Sequence, residues 1–303
     1  MREATVAAVD IGTNSVKMSV ARAGVVMAER TVVTRLGEGV SSTGRLSEDA
    51  MARTLGALGA FADEARELGV VRTAAVATSA VRDAANGADF AAAAGRVLGG
   101  PVETISGLRE ATLVHRAAFS DPDLRLPDGA RLVAVDVGGG STEIVVGGTD
   151  GIEHARSLQM GAVRLSEAAG LLGPDPIDPA ALARAAGLVD IALAGFPVPA
   201  GPAVLSASGG TAANLAGIEL GVLDPARMHG HRMAIAGIEA RINQLAALPL
   251  VDRRRVPGLE PDRADVIVAG AIVLARCARW FDCSVVRASL RGVRHGLLAE
   301  LAD

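Results

Sequence analysis

Residues 132–146 read LVAVDVGGGSTEIVV: an apolar run reaches Asp136, breaks into Gly138, Gly139 and Gly140, and resumes as a second apolar run after Glu143. Short apolar runs bounded by Gly, Ser and Thr are strand and turn signals, so this stretch is expected to form a buried strand, a tight loop and a returning strand. Shifted by 126 positions without a gap, it falls on residues 6–20, VAAVDIGTNSVKMSV, matching Asp10 to Asp136, Gly12 to Gly138 and Ser15 to Ser141. The chain therefore contains a half-repeat. Glycine loops let backbone N–H groups point into a common space, and such nests bind anions. Two loops of this kind, each with an Asp at its mouth, would hold phosphates and a hard divalent cation.

Composition bounds what surrounds the two loops. A chain of 303 residues, half of them hydrophobic, is long enough for two domains with a sizeable core in each. A net charge of −4 excludes the broad polycationic surface that duplex DNA requires. With no Tyr, five Phe and one Trp there is little to stack bases on, so no nucleic-acid partner is expected. The apolar run 266–275 has about half the length of a membrane span. The N-terminus enters a strand without a secretory segment, so the expectation is a cytoplasmic protein with no membrane partner. Cys277 and Cys283 have no His or Cys beside them at ligand spacing, which argues against a disulfide framework or a zinc site. Lys17, the only lysine among 30 basic residues, follows Asp10 on the strand leaving the first loop. It reads either as a solvent-facing residue or, as in sugar kinases and actin, as a phosphate contact.

Along the chain, Val25–Thr34 is expected as a third strand and Leu36–Leu46 as a loop, either a connector or part of a site. Ser47 caps a helix to Leu68 with Glu48 and Asp49 in its first turn. A strand over Val70–Ala77 runs into a helix capped by Thr78 or Ser79, in which the four-residue spacing puts Arg82 and Asn86 on one face. Arg82 can reach a ligand beyond the strand's carboxyl end, or pair with Asp83 or Asp89. Val102–Ile105 is a further strand, and Ser106 caps a helix with Glu110 in its first turn. That carboxylate either complements the helix dipole or serves as a general base.

Residues 121–129, DPDLRLPDG, are turn-rich and mark the domain boundary. Beyond the opening stretch come a strand over Ile152–Gln159, a helix over Val163–Leu172 and a helix over Pro179–Leu193 capped by Asp178. A strand over Val204–Ala207 then meets Ser208, Gly209, Gly210 and Thr211, which open a helix to Leu220. This is either a helix N-terminus aimed at an anion or a tight turn. Met228–Met233, with His229 and His231, reads as loop, there being no third ligand nearby in sequence. Helices over Ala234–Ala247 and Pro261–Phe281, an edge strand over Val285–Ser289 and a terminal helix near Arg291, Arg294 and His295 complete the chain.

Several separate stretches agree with one family: AAVDIGTNS (7–15), ATSAVRDAAN (77–86), ISGLREA (105–111), VDVGGGSTE (135–143), SLQMGAVRL (157–165), SGGTAANL (208–215) and LRGVRHGLL (290–298). Together they resemble the exopolyphosphatase and guanosine pentaphosphate phosphohydrolase family, in its short form without a C-terminal helical domain. The resemblance implies an α/β fold of the actin, hexokinase and sugar kinase superfamily: two RNase H-like domains, 1–120 and 121–292, with a cleft between them and the helix 293–303 returning to the first. It further implies Glu110 as catalytic base. Asp136 and Glu143, with Asp10 sharing the task, would hold Mg²⁺, or Mn²⁺ in its place, and the attacking water, Glu143 thereby counting as catalytic too. Asn14, Ser15, Lys17, Arg82 and the loop Gly138, Gly139, Gly140, Ser141 and Thr142 would hold the terminal phosphates. Ser208, Gly209, Gly210, Thr211 and Arg294 would hold units further along the chain. The implied reaction is Mg²⁺-dependent release of orthophosphate from inorganic polyphosphate. Guanosine pentaphosphate 5′-phosphohydrolysis and a non-hydrolytic polyphosphate or alarmone sensor are the alternatives, and a homodimer is the implied assembly. Many members carry Glu where His295 stands, and no role is assigned to it.

Overall fold

The computed structural model describes residues 4–302, which form two compact units. One runs to Ser120 and takes in the chain from Val293 onward; the other is Asp121–Gly292.

The first unit contains β1 (Thr5–Ile11), β2 (Ser15–Arg22), β3 (Val25–Val33), α1 (Val40–Thr43), α2 (Glu48–Glu67), β4 (Arg72–Ala77), α3 (Ser79–Asp83), α4 (Gly87–Leu98), β5 (Val102–Thr104) and α5 (Gly107–Phe119). The second contains β6 (Arg131–Val137), β7 (Thr142–Gly148), β8 (Gly151–Leu158), α6 (Ala162–Ala169), α7 (Pro179–Leu193), β9 (Ala203–Ser208), α8 (Gly209–Leu220), α9 (Pro225–Met228), β10 (Arg232–Ala234), α10 (Ile235–Ala246), α11 (Leu250–Arg253), α12 (Ile267–Trp280) and β11 (Val285–Ala288). The terminal helix α13 (Val293–Ala302) belongs to the first unit.

The sheets have corresponding orders, β3-β2-β1-β4-β5 and β8-β7-β6-β9-β11, the second extended by β10. In each, two hairpins give three antiparallel strands and the following strands pair parallel to the first. This is the RNase H-like arrangement twice over, so the half-repeat in sequence is a half-repeat in topology. Loops that follow a parallel strand's carboxyl end are where open α/β sheets place ligands. In the first unit Ala7, Val9 and Ile11 alternate toward a core that includes Leu58, Phe61 and Phe90. In the second, every residue from Ile267 to Ala275 is buried, which accounts for the unbroken apolar run: a helix packed on all sides needs no polar face. No helix among the described residues is long and apolar enough to cross a membrane.

Four elements depart from the sequence reading. The helix expected to carry both Arg82 and Asn86 is two helices, because Ala84 is extended (ψ 135°) and Asn86 caps α4. The Asn86 amide instead serves the preceding loop, accepting from Leu46 N–H and donating to Leu46 O, both at 2.9 Å. Arg82 and Asn86 therefore do not share a face. Pro261–Phe281 is not one helix: Pro261–Arg263 is a 3-10 turn, and α12 begins only at Ile267. Buried Arg253 donates to Ala264 O (3.2 Å) where the turn gives way. The strand at 285–288 lies inside its sheet, and the edge is β10, formed by residues read as loop. Finally, α6 stops at Ala169, where Gly170 takes a left-handed conformation (φ 69°) that ends the helix.

Candidate active site

Strand register builds the half-site of the second unit. Asp136 lies opposite Glu143 and Ser208, and Glu143 lies opposite Ser157. Residues directly opposite one another share a sheet face. Four neighbouring strands thus carry one polar row, Ser157–Glu143–Asp136–Ser208. Glu143 is 1% and Asp136 6% exposed. Ser157 Oγ donates to Glu143 Oε1 at 2.7 Å, while the buried Ser208 Oγ has no hydrogen-bond partner.

The loop Gly138–Gly140 is held from behind. Gly138 N–H bonds Ser141 O (3.0 Å), and the glycine carbonyls are taken by the start of α6. Ala162 N–H donates to Gly138 O (2.8 Å), and Val163 and Arg164 N–H donate to Gly139 O (2.9 and 3.1 Å). Arg164 Nε donates to Gly140 O (2.9 Å). A side chain at Gly161 would sit 2.4 Å from Gly139 O, so only glycine permits this approach. A loop whose carbonyls are occupied in this way presents its amides, as an anion nest requires. Thr142 Oγ1 donates to Met160 O, closing the same corner.

The third glycine loop wraps the Asp136 carboxylate. A Cβ on Gly209 (φ +88°) would lie 2.6 Å from Asp136 Oδ1, and one on Gly292 would lie 3.2 Å from Oδ2. Asp136 thus faces the first residue of α8, where a helix N-terminus favours negative charge. Gly210 is covered by the Arg263 guanidinium, which Glu260 fixes through a 2.6 Å bond to Nε. Thr211 is buried beneath Gly270.

In the first unit the same hairpin has different chemistry. Asp10 lies opposite Lys17, whose Nζ donates to Asp10 Oδ2 at 3.2 Å. Lys17 holds the half-repeat position of Glu143. The corresponding row is Thr31–Lys17–Asp10–Val76, a neutralised pair beside an apolar residue. The expected metal ligand Asp10 and the expected phosphate contact Lys17 are therefore engaged with each other. The loop is again held by its carbonyls: Gly37 N–H donates to Thr13 O (2.8 Å), and Thr34 and Arg35 N–H donate to Asn14 O (both 3.0 Å). Ser15, buried at the start of β2, accepts from Gly12 N–H at 3.1 Å. Asn14 Nδ2 is buried without a hydrogen-bond partner.

Glu110, 6% exposed, stands in the first turn of α5, whose cap Ser106 accepts from Arg109 N–H at 3.2 Å. Arg82 NH1 donates to Ile105 O (2.8 Å) and reaches Glu110 Oε2 at 3.4 Å, and its NH2 is a further buried donor without a partner. Behind α5 lies α13. A Cβ on Gly296 would be 2.1 Å from Leu113 O, and Arg109 donates two parallel hydrogen bonds to the Glu300 carboxylate, both 2.6 Å. Arg294, expected at phosphate, donates to Ser19 Oγ (2.7 Å) and Glu29 Oε1 (3.0 Å). His295 Nε2 is 2.8 Å from the same Glu29 oxygen. Burial pushes the Glu29 carboxyl up, but the His295 hydrogen bond, the charges of Arg294 and His295 and the Ser19 hydroxyl outweigh it and hold the group at about 2.

Two carboxylates directly opposite each other repel. Asp136 and Glu143, both hard oxygen donors, suit a divalent cation such as Mg²⁺, whereas Asp10 already has an ammonium beside it. Among the described residues one cluster of three metal-type ligands occurs elsewhere, Asp121, Asp123 and His229, with ligand atoms within 4.8 Å of one another. The third partner for His229 that sequence proximity did not offer is thus supplied by the fold. Its hydrogen bonds oppose a metal: Leu290 N–H donates to His229 Nδ1 (3.2 Å), which leaves the proton on Nε2, 3.3 Å from Asp121 Oδ1. Arg287 donates to the other Asp121 oxygen at 3.0 Å.

Sequence reasoning missed Ser157, Gly161, Arg164, Arg263 and Gly292. Their contacts depend on strand register and on close backbone approach, although SLQMGAVRL contains the first three.

The chain is similar to several known proteins. The exopolyphosphatase 2 of Mycobacterium tuberculosis is 34% identical over 293 residues, covering 90% of each chain. The guanosine-5′-triphosphate,3′-diphosphate pyrophosphatase of Vibrio cholerae is 36% identical over 162 residues, 52% of this chain and 32% of that one. The crystal structure of the Aquifex aeolicus Ppx/GppA family member superposes with a TM-score of 0.81 at 30% identity, covering 98% of this chain and 97% of that one. The family model described as Ppx/GppA phosphatase matches residues 15–303. With the doubled sheet, the glycine loops and these likenesses together, the chain belongs to the Ppx/GppA phosphatase family.

Proposed function

We propose that the protein is an exopolyphosphatase that hydrolyses the terminal phosphoanhydride of inorganic polyphosphate. One observation carries this reading: of the eight buried side-chain polar atoms without a hydrogen-bond partner among the described residues, three, Asn14 Nδ2, Arg82 NH2 and Ser208 Oγ, belong to the set expected at phosphate. A buried group left unpaired costs about 1–3 kcal/mol, which phosphate oxygens would offset.

In this reading Asn14, Ser15, Arg82 and the amides of Gly138–Thr142 hold the terminal phosphate, and Ser208–Thr211 hold the units behind it. Lys17 adds positive charge while restraining Asp10. Asp136 and Glu143 hold Mg²⁺, or Mn²⁺ in its place; bound there, the ion supplies charge stabilisation at the transferring phosphoryl group. Glu110 takes one proton from the attacking water onto a carboxylate oxygen as the new O–P bond forms and the anhydride O–P bond breaks. Orthophosphate leaves, and the shortened chain departs on the old bridging oxygen. Arg82, bonded to Ile105 O and in reach of Glu110, holds the base in place. Most of the rate then comes from positioning and charge stabilisation. The engaged guanidinium of Arg294 favours a structural part for that residue over a phosphate contact.

Removal of the 5′ γ-phosphate of guanosine pentaphosphate is the second reading, supported by the likeness to the Vibrio protein. The working form is taken to be a cytoplasmic homodimer, for which sedimentation would return twice the chain mass. The test is Mg²⁺-dependent phosphate release across polyphosphate lengths, with guanosine pentaphosphate and ATP as competitors. Release from polyphosphate supports the assignment, release from guanosine pentaphosphate alone favours the second reading, and binding of either without release indicates a sensor.

A further inference from the structure

We propose that Ser157 is a positioning residue for the metal-binding carboxylate Glu143. The inference rests on the assignment of Asp136 and Glu143 as cation ligands. Ser157 ends the polar row across the second sheet, directly opposite Glu143 in the β7–β8 register, and its hydroxyl donates to Glu143 Oε1 at 2.7 Å. Ser157 is half-buried, so its hydroxyl could be hydrated; it is aimed instead at a carboxylate that is 1% exposed. A carboxylate has two equivalent oxygens and a soft terminal torsion, so a donor fixed to one oxygen sets the plane of the group and the direction of the other.

The first unit supplies an internal control. There the matching position carries Lys17, a cation rather than a ligand, and its cross-strand neighbour is Thr31. Thr31 thus faces an ammonium, whereas Ser157 faces a carboxylate that itself lies opposite a second carboxylate. Partners that orient a metal-binding carboxylate typically change metal affinity or activity about 10–100-fold when removed. Ser157 is also tied to the loop: three residues on, Met160 O accepts from Thr142 Oγ1, and α6 then takes the glycine carbonyls. Held through this short segment, the carboxylate and the amide nest keep a fixed spacing.

Direct Mn²⁺ binding to the intact protein, followed by calorimetry or by the loss of free Mn²⁺ electron-spin resonance, tests the inference independently of turnover. Ser157→Ala is expected to weaken Mn²⁺ about 10–100-fold and to raise the metal concentration needed for half-maximal activity by a similar factor. The rate at saturating metal should change far less. Ser157→Thr, which keeps the hydroxyl, is expected to restore most of the affinity, and Glu143→Gln to abolish binding. If wild type binds Mn²⁺ and Glu143→Gln does not, but Ser157→Ala binds like wild type, the positioning role is overturned while the metal site stands. If wild type and Glu143→Gln bind alike, the metal assignment itself fails. A Ser157→Thr variant as weak as Ser157→Ala, with both folded by circular dichroism, would assign the loss to packing and also overturn the proposal.

Discussion

Replacing Glu110 by Gln separates a catalytic carboxylate from a structural one. The substitution keeps the side chain's length and shape and removes its capacity to take a proton. Arg82 keeps its 2.8 Å bond to Ile105 O, and the Ser106 cap does not involve the side chain at 110. Among the contacts the substitution alters is a 3.4 Å ion pair with Arg82, in which the Glu110 side chain is 8% exposed. Removing one charge of a buried pair leaves the other uncompensated, but Gln keeps an oxygen that can accept from Arg82, so the cost is about 1 kcal/mol. In a chain of this size that corresponds to a melting shift of no more than about 2–4 °C. On the rate the effect is expected to be much larger. A positioned general base contributes about 10²- to 10⁴-fold, equivalent to about 2.7–5.4 kcal/mol of activation free energy at 1.36 kcal/mol per decade. The assay is phosphate release from polyphosphate at saturating Mg²⁺, run beside a thermal melt and a Mn²⁺ titration. The variant should melt within a few degrees of wild type, bind metal normally and turn over at least about 100-fold more slowly. Turnover within tenfold of wild type, with stability and metal binding intact, would remove Glu110 from the mechanism.

Three further outcomes are expected. Gly209→Ala places a Cβ 2.6 Å from the Val137 carbonyl and from Asp136 Oδ1 at φ +88°, so it should destabilise by about 1–3 kcal/mol and weaken Mn²⁺ binding, read by melting and titration. Gly296→Ala drives a Cβ to within 2.1 Å of Leu113 O; because α5 also carries Glu110, kcat should fall more than KM changes, while Mn²⁺ binding stays normal. Glu29, held at about 2 against an ordinary 4.5, contributes stability that is present above about pH 4.5 and is lost as pH falls toward about 2. Denaturation of wild type and Glu29→Gln between pH 6 and 3 should show the gap between them closing with acid, and a constant gap would contradict the assignment.

Much of the fold was legible because the half-repeat is written in residues whose chemistry is local. Asp10 and Asp136, each two residues before a loop glycine, announce both hairpins, and Ser47, Ser106 and Asp178 announce their helices by capping. What could not be read depended on partners far away in sequence. Asn86 leaves a helical face because Leu46 takes its amide. In the site, Asp136 and Glu143 were legible as motif residues, but their opposition across β6 and β7 was not. The gapless shift of 126 already sets Lys17 against Glu143; what it does not give is the 3.2 Å contact by which Lys17 engages Asp10. Ser157 and Arg164 lay within a recognised stretch, yet their roles appear only when a hydroxyl or a guanidinium is seen to meet a particular oxygen.

The placement of α13 has a consequence in time. Its partners, Leu113 and Arg109 on α5 and Glu29 on β3, are synthesised in the first 120 residues, whereas α13 comes last, after all of Asp121–Gly292. At about 5–20 residues per second, the ribosome takes on the order of 10–35 s to make the intervening segment. The unit with contiguous sequence can mature during that interval, while α5 waits for its α13 neighbours until residues 293–302 emerge. Helix α5, and Glu110 with it, is therefore seated only after the whole of Asp121–Gly292 has been made.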